Sequence, residues 1–128
     1  MTDQHSAPFA GAGLVGLGGA VGSLARWGLA ESITAPWGTL TVNVSGCLVI
    51  GLLAGWLFVR HPRLRLLLGV GFLGGYTTFS THLLDAHDLL EAGDPALAAA
   101  YVGGTLCACV AAAVVGLAVG RRLREAGQ

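Results

Sequence analysis

Four apolar stretches, at about 8–26, 39–59, 66–84 and 96–120, constrain this 128-residue chain more than any other feature. Each holds roughly twenty residues, enough at about 1.5 Å of rise to cross a hydrocarbon core about 30 Å thick as a helix. Hydrophobic residues make up 54% of the chain and charged residues 11%, with a mean hydropathy of +0.71. A soluble domain this small has much surface to cover and normally carries about a quarter charged residues. Lipid is therefore the expected solvent of the outer surface. The N-terminal flank MTDQHSAP lacks the positive charge of a cleavable signal, and three further spans follow. The chain reads as a single all-α membrane domain, 1–128, with four transmembrane helices.

Glycine indicates how those helices pack. There are 21, lying inside the apolar stretches and paired four apart in each: Gly18 and Gly22, Gly51 and Gly55, Gly71 and Gly75, Gly116 and Gly120. Small residues at that spacing let helix backbones approach closely where hydrophobicity cannot separate helix from lipid. The three cysteines, Cys47, Cys107 and Cys109, lack metal-site spacing and read as small apolar residues. The chain has no lysine and a formal net charge of +0, so nucleic acid is not an expected partner.

The seven basic residues set the orientation. Arg60, Arg63, Arg65, Arg121, Arg122 and Arg124 fall on one side of a four-span layout, and Arg26 alone on the other. Arginine in short flanking segments stays cytoplasmic. Both termini are thus expected inside, with the connection bearing Asp85, Asp88, Glu91 and Asp94 outside. Trp27, Trp37 and Trp56 stand near span ends, where indole rings collect at the interface.

Polar groups inside the spans are candidates for function, because hydrocarbon offers them no partner. Asn43, within GTLTVNVSG of span two, either lines a passage or hydrogen-bonds to another helix. Span three holds Gly74-Gly75-Tyr76-Thr77-Thr78-Phe79-Ser80-Thr81, poor helix formers at mid-span. The helix either breaks there, exposing carbonyls able to meet a cation, or continues and packs through its glycines. Tyr101, Thr105 and Cys109, at i, i+4 and i+8 of span four, form either a ladder of weak donors for an anion or ordinary packing. Phe79 and His82 share a face. The ring edge of the former suits an anion, and the latter could donate to one, sense protons or mark the interface. No catalytic constellation is visible, so no enzyme is expected. None of the seven acids lies deep in a span, which disfavours proton-coupled transport.

The stretch from Gly19 to Trp27, followed by GTLTVNVSG and GFLGGYTTFSTH, closely resembles the Fluc/CrcB fluoride channels over nearly the whole chain. The resemblance implies a passive, fluoride-selective channel in the cell membrane that exports cytoplasmic fluoride. It implies antiparallel dimers with two pores along the interface and a helix broken at the centre of span three. Asn43 would be the pore asparagine, Phe79 the first of an aromatic pair, and Tyr101 and Thr105 the start of a hydroxyl track. Gly74 and Thr77 would offer carbonyls to a structural Na⁺ shared with the partner. Two positions depart from the pattern: His82 replaces the second phenylalanine, and Cys109 replaces a serine. Together with the six-to-one arginine bias, they point to pairing with an oppositely oriented paralogous subunit. The other functions weighed are a non-conducting partner of a heterodimeric channel and a small multidrug exporter, with a membrane enzyme a distant third.

Overall fold

The computed structural model describes residues 6–127. Helix α1 (Ser6–Glu31) is followed by α2 (Trp37–Trp56). A third helical path runs through α3 (Pro62–Leu64), a π-helical segment π1 (Arg65–Leu73) and α4 (Gly74–Tyr76). Helices α5 (Ser80–Glu91) and α6 (Pro95–Ala126) complete the chain. Among the described residues every regular element is helical.

The glycine pairs decide which helix meets which. A Cβ on Gly18 or Gly22 would run into the backbone of Leu67 and Phe72, and one on Gly75 into the carbonyl of Gly19. Gly71 has the same relation to α1, with the Val15 carbonyl 2.8 Å from where its Cβ would be. On the other side, Gly51 and Gly55 face the backbone of Ala113 and Leu117, while Gly116 and Gly120 face that of Leu48 and Leu52. All four pairs anticipated from spacing are thus used, in two interlocked couples: α1 with π1 and α4, and α2 with α6. In both couples the numbers rise together, so the partners run parallel. Backbones this close gain dispersion contacts and lose little side-chain entropy.

The connections are built locally. Gly93, at φ 83°, ends α5 in the left-handed conformation that suits glycine after a helix. Asp94 then caps α6, its Oδ1 accepting from Leu97 N at 3.0 Å, with Pro95 in the first turn, where no helical partner is lost. The π winding of Arg65–Leu73 was not foreseen from the sequence. Such wide turns are frequent at functional sites.

The interior is small. Val42, Leu73, Ala86, Ala98 and Tyr101 are buried, while Leu17, Leu24, Val110 and Val114 are each more than 60% exposed. Two helices, α2 and α6, are long and apolar enough by length and composition to cross a membrane. Only 39% and 11% of their most apolar windows are buried, which is not the pattern of core helices in a water-soluble domain. Trp27, Trp37 and Trp56 are exposed near helix ends. Gly55 packs on the backbone of Gly120 and Arg121, so the six arginines after α2 gather at one end of the bundle. Pro36, Asp85 and Asp88 meet at the other end.

Candidate functional site

Helical geometry lapses where the glycine- and threonine-rich stretch is densest. Thr77 is extended, with φ −80° and ψ 153°, and the next helix starts at Ser80. A lapse inside an apolar bundle leaves peptide groups that must find partners elsewhere. Asn43 supplies two. Its Nδ2 donates to Thr78 O and its Oδ1 accepts from Thr78 N, both at 2.8 Å. From α1, Ser23 Oγ donates to Gly75 O at 3.4 Å, and Arg26 Nη1 reaches Thr77 O at 3.5 Å. Thr78 Oγ1 accepts from Thr81 N at 3.2 Å and so caps the start of α5. The positive end of the α5 dipole therefore lies at the lapse, a polarity that favours anions.

Beside it runs a groove of about 190 Å³ lined by Asn43, Thr77, Thr78, Phe79, His82 and Thr105, together with Cys47, Leu106 and Cys109. Five residues singled out for an anion path (Asn43, Phe79, His82, Thr105 and Cys109) thus share one wall, although they come from three helical segments. Buried donors on this wall lack protein partners. His82 and Thr105 are each 2% exposed, yet both imidazole nitrogens of His82 and Oγ1 of Thr105 are without a hydrogen bond. A neutral imidazole carries one N–H and a hydroxyl one O–H, and Asn43 retains a second amide hydrogen after serving Thr78. Leaving such groups unpaired costs about 1–3 kcal/mol each, so a ligand that accepts from them recovers what the fold gives up. No arginine, aspartate or glutamate lines the groove.

The aromatic rings line up along the same side. Phe79 and His82 have centroids 6.3 Å apart, and His82 and Tyr101 4.6 Å apart, both pairs tilted. Phe79 is 64% exposed, so part of its ring has no contact within the chain. Tyr101 is arranged differently from Thr105. Its ring packs on His82, but its hydroxyl turns away to donate to Asp85 Oδ2 at 3.1 Å and Pro36 O at 3.3 Å. The phenol thereby ties α6 to α5 and to the α1–α2 connection. Tyr101→Phe is expected to lower stability by about 1 kcal/mol, the usual worth of one hydrogen bond. Thermal unfolding in detergent measures the change.

Gly74 and Thr77, expected to offer carbonyls to a cation, stand at the lapse. A Cβ on Gly74 would have nothing within 4 Å, so this face is open. Thr77 has left helical geometry, and the donor on its carbonyl, Arg26, stands at the limit of hydrogen bonding. Two neutral carbonyls make an incomplete cage for a hard cation, which takes about six oxygen ligands. Among the described residues no cluster of three His, Cys, Asp or Glu side chains could bind a metal instead.

Several contributors were not assigned roles from sequence. Thr78 and Thr81, three apart at the start of a helix, carry a capping signal. Cys47 lies four residues after Asn43 and hence on its face. Ser23 and Arg26 carried no local signal for their contacts with Gly75 and Thr77.

An apolar helical bundle whose long helices leave most of their apolar surface uncovered has the architecture of an integral membrane protein. Residues 13–117 match the family model described as CrcB-like protein, Camphor Resistance (CrcB). The chain belongs to that family. It is 47% identical over 119 residues to a fluoride-specific ion channel FluC of Rhizobium etli (strain CIAT 652), covering 86% of this chain and 95% of the relative. The protein of the same name from Paracoccus denitrificans (strain Pd 1222) is 49% identical over 115 residues, covering 85% and 93%. That from Stutzerimonas stutzeri (strain A1501) is 45% identical over 116 residues, covering 84% and 94%.

Proposed function

We propose that this chain is a subunit of a fluoride-selective channel through which fluoride leaves the cell passively. The observation that carries the proposal is the groove wall, on which buried polar atoms of His82 and Thr105 lack partners beside the amide of Asn43, and which no arginine lines. Fluoride is a compact, strongly accepting anion. A path for it must replace its hydration without holding it, and neutral donors in series meet both needs. A fixed positive charge at this depth would bind the anion too tightly to release it. Membrane potential, negative inside, drives anions outward, so no coupling ion is required. Such export is useful because HF crosses membranes and ionises in the less acidic cytoplasm, where the anion is trapped.

The exposed apolar faces meet lipid, and the side of the bundle bearing Gly74 and Phe79 meets an antiparallel partner. Completion by a partner is supported by the open face of Gly74 and the partly uncovered Phe79 ring. Carbonyls of Gly74 and Thr77, with their counterparts across the interface, would hold a Na⁺ that neutralises the electronegative ends of these peptides. The third span is then a helix broken at its centre, with the break at the dimer interface. Six arginines at one end favour both termini in the cytoplasm, and an oppositely oriented paralogous subunit as the partner.

Expression in a bacterium lacking its own fluoride exporter tests the function. With the paralogous subunit co-expressed, growth at otherwise inhibitory fluoride is expected. Unchanged sensitivity of cells whose membranes contain both chains counts against it. His82 provides a sharper check. His82→Leu removes two unpaired buried nitrogens and is expected to raise stability by about 1 kcal/mol, after the loss of ring packing on Tyr101. The same change is expected to cut fluoride flux roughly tenfold, the equivalent of about 1.4 kcal/mol in one hydrogen bond to the ion. Loss of stability together with full flux would mark His82 as a packing residue.

A further inference from the structure

The parallel packing of α2 on α6, which seats Gly51 on Ala113 one turn further along, brings Cys47 and Cys109 to one stretch of the groove wall. Both are free and half-buried, whereas the third cysteine, Cys107, is exposed and does not line the groove. No carboxylate stands on this wall, and among the described residues no third His, Cys, Asp or Glu, His82 of the same groove included, forms a metal-binding group with the pair. That donor set excludes the common hard and tetrahedral ions. Calcium and magnesium require several oxygens, and structural zinc four ligands. Two thiols suit a soft ion content with two-coordinate, linear geometry. Access is provided by the groove itself, whose walls include the unpaired polar atoms of His82 and Thr105.

We infer that Cys47 and Cys109 form a two-coordinate site for a thiophilic d¹⁰ metal ion, of the mercury(II), silver(I) or copper(I) type, and that filling it closes the groove to fluoride. Each thiol gives its proton to water as its sulfur–metal bond forms, and no electron changes hands. With a divalent ion the product is an uncharged bis-thiolate, the form least costly to hold in a low-dielectric wall. Closure follows from position, because a metal held between Cys47 and Cys109 stands on the wall that also carries Asn43 and Thr105, in the path those groups line. The closing effect rests on the fluoride proposal, whereas the metal site does not.

The test uses the full chain carrying Cys107→Ser, in which Cys47 and Cys109 are the remaining thiols. Mercury(II) chloride is titrated against the purified protein while sulfur–mercury charge-transfer absorption and proton release are followed. One mercury and two protons per chain are expected. Adding Cys47→Ala or Cys109→Ala should weaken binding by about 10²- to 10⁴-fold, the usual advantage of a second tethered contact. Two mercury ions per chain, or equal affinity in the single-thiol variants, overturns the site. In liposomes that also hold the paralogous subunit, mercury(II) equivalent to this chain is expected to stop fluoride efflux with the Cys107→Ser protein and to spare whatever efflux remains when Cys47→Ala is added. Stoichiometric binding with undiminished efflux overturns closure and leaves the fluoride proposal standing. Absence of efflux before mercury is added removes the fluoride proposal and closure together, while the titration still decides the site.

Discussion

Asn43→Asp is expected to abolish fluoride efflux, and Asn43→Ala to reduce the amount of folded protein. The two changes act on different halves of one contact. Asn43 both donates to and accepts from the peptide of Thr78, at 2.8 Å in each direction. Alanine leaves that N–H and C=O without partners in an apolar bundle. At about 1–3 kcal/mol for each, the loss is roughly 2–6 kcal/mol, a large share of the stability of a small domain. Aspartate can still accept from Thr78 N, but it repels Thr78 O and places a negative charge on the groove wall. At an effective dielectric of 20, two unit charges about 4 Å apart repel by about 4 kcal/mol. That corresponds to a flux at least 100-fold lower. Thermal unfolding in detergent and electrode-monitored efflux separate the two effects. An Asn43→Ala protein as stable as the parent would show that Thr78 finds other partners.

The second large effect is expected at the interlocked glycines. Gly116→Leu should prevent α2 and α6 from packing, because the first added carbon already falls on the Leu48 carbonyl. Overpacking in a core costs typically 1–3 kcal/mol when side chains can adjust. Here the obstacle is backbone, so the cost is expected at or above the upper figure, with loss of monodisperse protein on extraction. Gly16→Ala is the matched control. Nothing in the chain lies within 4 Å of its added carbon, and alanine favours a helix over glycine by about 1 kcal/mol. A Gly116→Leu protein that extracts and unfolds like the parent would contradict the packing described.

These glycines also show what the sequence reveals directly. Four pairs at i and i+4 announced close backbone contact, and each one makes it. Which pair meets which was not legible, since identical spacing serves any partner. Asn43, Phe79, His82, Thr105 and Cys109 were recognisable as polar or aromatic groups in unfavourable surroundings, and they converge. Tyr101 follows the same periodicity, but its hydroxyl is long enough to reach Asp85 and Pro36, and helical spacing does not report reach. The stretch from Thr77 to Phe79 could be read as continuous helix or as a lapse. Propensities of glycine and threonine are too small to decide, whereas the Asn43–Thr78 pairing stabilises the lapse from 35 residues away. The π winding of Arg65–Leu73 has no local sequence signature. His82 was open to three roles; full burial beside Tyr101 argues against an interfacial one. Cys47 read as packing because a thiol is small and apolar, and only its neighbour Cys109 gives it chemistry.

The most direct measurement is fluoride efflux from liposomes, followed by a fluoride electrode, with chloride as the control anion. The chain is reconstituted first alone and then with its paralogous subunit. Rapid efflux of fluoride, with chloride retained, is expected once both subunits are present. Retention of fluoride by liposomes that contain both folded chains, or release of chloride at the same rate, would contradict the central claim.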